Sequence, residues 1–195
     1  MAEGARRAEG GRVGGPGGAG PRRDAAAALV IRRTRPEEHE ALSALALRSK
    51  GHWGYPPEFL EACREELRYD AETCGSELMW AAERDGTVLG IVRLAPVAGA
   101  PDLPGPPEAL ELEALFVDPP AIGTGCGRLL LEHALAQARA RGVRRVLLDA
   151  DPGAESFYRR FGAVRIGSAP SGSIPGRMLP RLEYRLGDEA EAAGL

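Results

Sequence analysis

Glu111-Leu-Glu-Ala-Leu-Phe-Val117-Asp-Pro-Pro-Ala-Ile-Gly123-Thr-Gly125-Cys-Gly127-Arg128 carries an alternating stretch into a glycine-rich loop and on into a helix start. Leu110 and Leu112 alternate with Glu111 and Glu113, the period of a strand, and the spacing predicts one over Ala109 to Val117. Leu130, Leu131, Ala134, Leu135 and Ala138 then fall on one face of a helix from Gly125 to Arg141, with Gly142 as its stop. A loop of small residues between a strand and a helix lets the chain approach a ligand closely. The bare N–H groups and the dipole of the helix start then favour an anion, typically a phosphate. The loop lacks the Gly-Lys-Ser/Thr of nucleotide hydrolases, and Arg128 stands where a dinucleotide fingerprint starting at Gly123 needs its third glycine. Both of those phosphate sites are excluded.

Outward from this segment the chain alternates strands and helices. Leu29 to Arg33 reads as a strand, and Thr34-Arg35-Pro36-Glu37 as a capped helix start. Leu42, Leu45 and Ala46 give that helix an apolar stripe up to about Arg48. Ser49 to Pro57 interrupts it as a loop carrying Trp53 and Tyr55. A second helix is expected from Glu58 to Tyr69, with Phe59, Leu60, Cys63 and Leu67 on one face. Leu78 to Glu83 and Thr87 to Leu94 form a hairpin around Asp85-Gly86, and Ala95 to Pro107 is a loop. Val143 to Ala150 reads as a buried strand, Glu155 to Arg160 as a short helix, and Ala163 to Gly167 and Leu182 to Leu186 as further strands. The result is an α/β (α+β) chain with a mixed sheet and helices packed on it.

Composition narrows the function classes. With 195 residues the chain makes one ordinary domain with appendages. No apolar run approaches the roughly 20 residues that span a bilayer, so no membrane partner is expected. Lys plus Arg is 25 against Asp plus Glu at 28, a net charge of -3, which gives no footprint for nucleic acid. Lys50 is the only lysine, which reads as coding bias towards arginine. Cys63, Cys74 and Cys126 lack paired spacing, and His39, His52 and His133 are scattered, so neither disulfides nor a metal site are expected. Residues 1–27 are rich in Gly, Ala and Arg and read as a disordered tail, and 187–195 as a flexible end. The tail lacks the apolar core of a secretory signal, so a cytoplasmic location is expected.

Two motifs in order now carry a resemblance. Pro120-Ala121-Ile122-Gly123-Thr124-Gly125 is similar to the Arg/Gln-x-x-Gly-x-Gly/Ala loop of the GNAT superfamily, the acetyl-CoA-dependent N-acetyltransferases. Asp151, Ala154, Tyr158 and Gly162 resemble that superfamily's second motif, in which an Asn, an Ala and a Tyr precede a Gly-Phe. Pro120, Asp151 and Ala163 depart from the usual residues, while the backbone amides of the loop are unaffected by the first change. The resemblance covers about residues 28–186 and points to a bacterial-type member.

It implies a mostly antiparallel sheet of about seven strands flanked by helices, with a splayed strand pair at the acetyl-CoA site. It also implies acetyl-CoA as cosubstrate, held by Phe116, Val117, Ile122, Gly123, Thr124, Gly125, Cys126, Gly127, Arg128, Asp151 and Tyr158. Removing a proton from an attacking amine needs a base, and Glu111, or else Glu113, stands where relatives often keep one. Tyr158 matches the acid that meets the departing thiolate, and a backbone N–H near Val117 would face the oxyanion. His52, Trp53, Tyr55, Ser173 and Arg177 lie in two loops rich in aromatic and polar groups, and are the candidates for binding a small-molecule or peptide amine. Two functions stay open on these residues: an enzyme acetylating a primary amine, or a non-catalytic acyl-CoA-binding sensor. A homodimer is also left open.

Overall fold

The computed structural model of the protein describes residues 28–99 and 107–187, so the expected tail and C-terminal end lie outside the described residues. Seven strands form one sheet: β1 (Val30–Arg33), β2 (Met79–Arg84), β3 (Thr87–Pro96), β4 (Ala109–Val117), β5 (Arg145–Asp149), β6 (Val164–Pro170) and β7 (Met178–Arg185). Their spatial order is β1-β2-β3-β4-β5-β7-β6. Every neighbouring pair is antiparallel except β4 and β5. The helices are α1 (His39–Gly51), α2 (Pro57–Ala62), α3 (Ala71–Gly75), α4 (Cys126–Ala140) and α5 (Glu155–Arg160).

The sheet separates two cores. On one face Leu130, Leu131, Ala134, Leu135 and Ala138 of α4 pack on Trp80, Val92, Leu94, Leu110, Leu112 and Leu148. On the other, Leu42, Leu45 and Ala46 of α1 pack with Cys63, Leu67, Met79, Ile91 and Ala114. The apolar stripes of the two helices thus meet opposite sides of the same strands, as period-two alternation permits. The hairpin turn at Asp85 and Gly86 has positive φ at both positions, 51° and 74°, the geometry of the tight turn that Asp-Gly favours.

One irregularity in β4 sets up the site. Arg93 pairs with Ala114 and Leu94 with Leu112, so Glu113 is an extra residue opposite no partner, a β-bulge. The facing side chains change parity across it. Leu110 and Leu112 join the core under α4, as do Leu115 and Val117, whereas Ala114 and Phe116 face α1. Pairing with β5 covers only Ala109–Glu111. From Leu112 onward the two parallel strands diverge, which is the splayed pair the resemblance implied.

Some boundaries differ from the sequence reading. The helix expected over Glu58 to Tyr69 is α2 alone. Beyond Cys63 the chain tightens into three-residue turns, with Arg64 N–H on Glu61 O and Arg68 N–H on Glu65 O. Cys63 and Leu67, the apolar pair of the expected stripe, are still buried. The helix α3 was not foreseen, although Asp70 caps it by accepting from Thr73 N–H at 2.8 Å. Thr34 does not cap a helix. Its hydroxyl donates to Cys74 O, while Glu38 accepts from Arg35 N–H to close the first turn before α1. The strands β6 and β7 run to Pro170 and back from Met178, longer than their short apolar runs suggested.

Gly90 of β3 sits where α4 crosses most closely. A Cβ there would lie 2.8 Å from Phe116 O, 2.9 Å from the Leu130 side chain and 3.1 Å from Cys126 Sγ. Gly90→Ala is expected to destabilise the protein by about 1–3 kcal/mol through overpacking, read as a melting temperature lower by several degrees; unchanged melting would refute that close approach.

Candidate active site

A cavity of about 990 Å³ runs through the gap between β4 and β5 and is lined from both sides of the sheet. One mouth is formed by Ile122, Gly123, Gly125, Gly127, Arg128, Phe157 and Phe161, on the α4 side. The other is formed by Lys50, Trp53, Glu66, Tyr69, Arg93 and Glu113, on the α1 side. Glu111, Asp149 and Tyr158 also line the cavity.

At the α4 mouth the loop works through its backbone. Gly123 and Gly125 have φ of 81° and 91°, a region that side chains disfavour. Ile122 and Thr124 use their N–H groups inside the loop, on Pro119 O and Ala121 O, so neither amide is available as expected. The amides of Gly123, Gly125, Cys126, Gly127 and Arg128 donate to no acceptor among the described residues. No side chain caps α4. Five unpaired donors at a helix start could hold a diphosphate, and the residues present fit that part of coenzyme A. Arg128, largely exposed, lines this mouth and bonds Glu132 at 2.7 Å. The Cys126 thiol is fully buried and burial pushes it up to about 11, so Cys126 contributes its amide and not a thiolate.

In the gap, Asp118 N–H bonds Leu89 O of β3, so the N–H groups of Val117 and Leu115 point away from β3, towards the gap. Val117 N–H, the expected oxyanion donor, donates to Ser49 Oγ at 3.2 Å. Leu115 N–H has no strand opposite it, because β5 has already diverged. Phe116 packs towards α1 and lines the cavity. The Tyr158 hydroxyl bonds no described group, while its backbone carbonyl accepts from the Tyr184 hydroxyl at 3.0 Å. Burial pushes the Tyr158 phenol well above its ordinary value, so it stays a proton donor at every working pH.

The carboxylates are differently held. Glu111 takes both nitrogens of Arg181 in a bidentate pair, and Arg181 also reaches Asp149 at 3.0 Å. Glu113, on the bulge, pairs through one oxygen with Arg93 and is more exposed, so its other oxygen is open to the cavity.

The α1 mouth turns on Asp151. Its carboxylate accepts from the Tyr55 hydroxyl at 2.8 Å, from Gly153 N–H at 3.1 Å and from Arg177 at 3.2 Å, with Lys50 Nζ at 3.5 Å. Arg177 also donates to the Tyr55 hydroxyl at 2.6 Å and lies over the stacked rings of Tyr55 and Phe59. Three separate segments are therefore joined at one residue. Trp53 packs on Gly153, where a Cβ would stand 3.5 Å from the indole. Of the five residues expected to bind an amine, Trp53 lines the cavity and Tyr55 and Arg177 shape it through Asp151. His52 is exposed against Trp53, and Ser173 lies beside Cys63, neither lining the cavity. Ser49 and Lys50 lie within the Ser49 to Tyr55 stretch that the sequence marks for specificity, though neither is singled out there, whereas Glu66, Arg93 and Arg181 are missed. Only Lys50 carried a signal of its own, as the single lysine of an arginine-rich chain.

The fold and this cavity agree with the comparisons. The sequence profile of the acetyltransferase (GNAT) family matches residues 45–163, more than half of the chain. The protein belongs to that family of acyltransferases. It is similar to the mycothiol acetyltransferase of Cellulomonas flavigena, 41% identical over 47% of this chain, but spans only 30% of that relative's length. It is also similar to the 5-NmdU N-acetyltransferase of Pseudomonas phage PaMx11, 26% identical over 74% of this chain and 93% of that protein. Among solved structures, the PaiA N-acetyltransferase of Thermoplasma acidophilum, in complex with coenzyme A, shares the fold. Its TM-score is 0.63 at 22% identity, over 81% of this chain and 99% of that one. A GNAT family acetyltransferase of Brucella melitensis, in complex with acetyl-CoA, gives 0.55 at 25% identity over 83% and 90%. Among the described residues no helix is long and apolar enough to cross a membrane.

Asp151 supports a prediction of its own. Burial alone would raise its carboxyl, but the Tyr55 hydroxyl, Gly153 N–H, Lys50 and Arg177 outweigh burial and hold it below the usual carboxylate range. A depressed folded-state pKa contributes stability that is present above the unfolded value, about 3.9, and is lost as pH falls through the folded one, so Asp151 is ionised and the junction intact at neutral pH. Asp151→Asn leaves Lys50 and Arg177 without their counter-ion and is expected to cost about 1–3 kcal/mol, equally at pH 6 and pH 8. Denaturant unfolding at the two pH values measures this; a loss at one pH only would contradict an ionised Asp151.

Proposed function

We propose that the protein transfers an acetyl group from acetyl-CoA to a primary amine by direct attack within a ternary complex. The observation that carries this reading is the through-going cavity, with unpaired amides at one mouth, carboxylates at the other and a protonated phenol between them. When bound, acetyl-CoA supplies a thioester carbonyl open to attack and a thiolate as leaving group. The amides of Gly123 and Gly125 to Arg128 hold the diphosphate, and the Leu115 N–H, free in the gap, meets the carbonyl oxygen as charge develops there. Tyr158 donates to the departing sulfur.

Glu113 takes the amine's proton. One of its oxygens is engaged by Arg93 and the other is open, whereas both oxygens of Glu111 accept from Arg181. Glu111 then serves to fix Arg181 and Asp149 beside the reacting centre. This ordering is the reverse of the preference that strand position alone suggested. No covalent acyl-enzyme is involved, since the Cys126 thiol is buried with its pKa raised and lacks a base.

Tyr158→Phe is expected to lower turnover about 100-fold while acetyl-CoA affinity stays close to that of the unaltered protein. Glu113→Gln is expected to lower turnover similarly and to move the acid limb of the pH–rate profile to higher pH, because the amine must then lose its proton unaided. Thiol release from acetyl-CoA across a panel of amines measures both. A larger effect from Glu111→Gln than from Glu113→Gln would return the role of base to Glu111. Gly125→Val, which forces a branched side chain into φ near 91°, is expected to abolish acetyl-CoA binding in calorimetry; unchanged affinity would overturn the loop's role.

A further inference from the structure

Beside the Arg93–Glu113 pair and Glu66, the α1 side of the cavity holds two charge clusters of opposite balance. In one, the cations Lys50 and Arg177 share the single carboxylate of Asp151. In the other, the carboxylates Glu111 and Asp149 share the single guanidinium of Arg181. The first cluster carries one surplus positive charge and the second one surplus negative charge. Asp149 and Asp151 are two residues apart on an extended chain, so the clusters are separated by roughly 7 Å. Lys50, Glu111, Asp149 and Asp151 line the cavity, with Arg177 and Arg181 behind them.

Lys50 is the clearest sign that a ligand belongs here. Its side chain is only 16% exposed, and its one anionic neighbour among the described residues is Asp151, at 3.5 Å. Its ammonium lies about 6 Å from the ring centres of Tyr55 and Phe59. Three N–H donors on a largely buried cation, with no hydrogen bond to a described residue, call for an acceptor from within the cavity.

We infer that the acceptor amine is a zwitterion of the α-amino-acid type, its carboxylate bound by Lys50 and its ammonium by the Glu111–Asp149 cluster. The inference rests on the acetyl-CoA reading above and adds the class of acceptor to it. Each surplus charge then meets its opposite, and the ammonium arrives beside Glu113. A phosphate of coenzyme A is not the partner of Lys50, because the unpaired amides that fit the diphosphate lie at the opposite mouth, on the other face of the sheet.

The test compares common L-amino acids with their α-amides, which differ only in the carboxylate. The amide nitrogen partner is the less basic amine, so intrinsic reactivity at neutral pH favours the amide and a preference for the acid must come from binding. Thiol release is expected to give kcat/KM about 10- to 100-fold higher for the best acid than for its amide. Lys50→Met is expected to bring that ratio close to one and Lys50→Arg, which keeps the charge, to restore most of it. Acids no better than their amides, or a ratio that survives Lys50→Met, would overturn the inference. So would weaker acetyl-CoA binding by Lys50→Met in calorimetry, which would place Lys50 on the coenzyme. Failure of the unaltered chain to bind acetyl-CoA would overturn the acetyl-CoA reading together with this one, and is thereby distinguished from the other outcomes.

Discussion

Everything distinctive in this structure follows from one residue too many in β4. A strand pair in perfect register leaves no space between its members, and a parallel pair with complete hydrogen bonding offers a ligand neither donors nor room. Glu113 has no partner on β3, and the bend and added twist of a bulge act at the point where β4 leaves β5. The gap opens the sheet to a cavity, frees the Leu115 N–H, and reverses which side chains face α1 and which face α4. It also places the extra carboxylate at the gap's rim. A single insertion in register thus produces the space, a donor and the candidate base together.

The sheet acts as a partition between two chemistries. In the proposed function, anion binding belongs to the α4 side, which offers backbone groups: two glycines with positive φ, an uncapped helix and unpaired amides. In that same proposal, discrimination among acceptors belongs to the α1 side, which is built from side chains brought from α1, α2, β5, β7 and the turn before β7. Backbone binding tolerates change in neighbouring side chains, so Pro120 in place of the usual Arg or Gln leaves the amides as they are. The side-chain mouth is less tolerant, since Lys50, Tyr55, Asp151 and Arg177 depend on one another's charges and hydrogen bonds.

The fold was largely legible because the apolar periodicities are clear. The stretch Ala109 to Val117 and the helix after it are found almost to the residue, and Asp85-Gly86 declares its turn. The loop between them was legible as an anion site because small residues at a helix start have few other uses. What could not be read was the partner of each charged side chain. Nothing local in the sequence joins Glu111 to Arg181, Lys50 to Asp151, or Ser49 to Val117 N–H, since these pairs are 68 or more residues apart and meet only once the sheet is assembled. The pairing occupies both oxygens of Glu111, leaves one oxygen of Glu113 without a bond to a described residue, and makes Asp151, an expected coenzyme contact, the junction of three segments as well. Loop composition singled out His52 and Ser173 by residue type, but type does not say which way a side chain turns.

The protonation states of the buried groups constrain the chemistry further. A phenol pushed upward by burial holds its proton too tightly to release it freely to solvent, yet donates a strong hydrogen bond to an anion formed beside it. In the proposed reaction that anion is a thiolate, so the assistance from Tyr158 grows only as the carbon–sulfur bond breaks, which is the condition for lowering a barrier rather than tightening ground-state binding. The same burial that raises Tyr158 raises Cys126 and thereby disarms the thiol nearest the loop. One physical cause, exclusion of water beneath α4, therefore keeps both groups in their neutral forms, Tyr158 as a phenol that still carries its proton and Cys126 as a thiol in place of the thiolate that a covalent route would need.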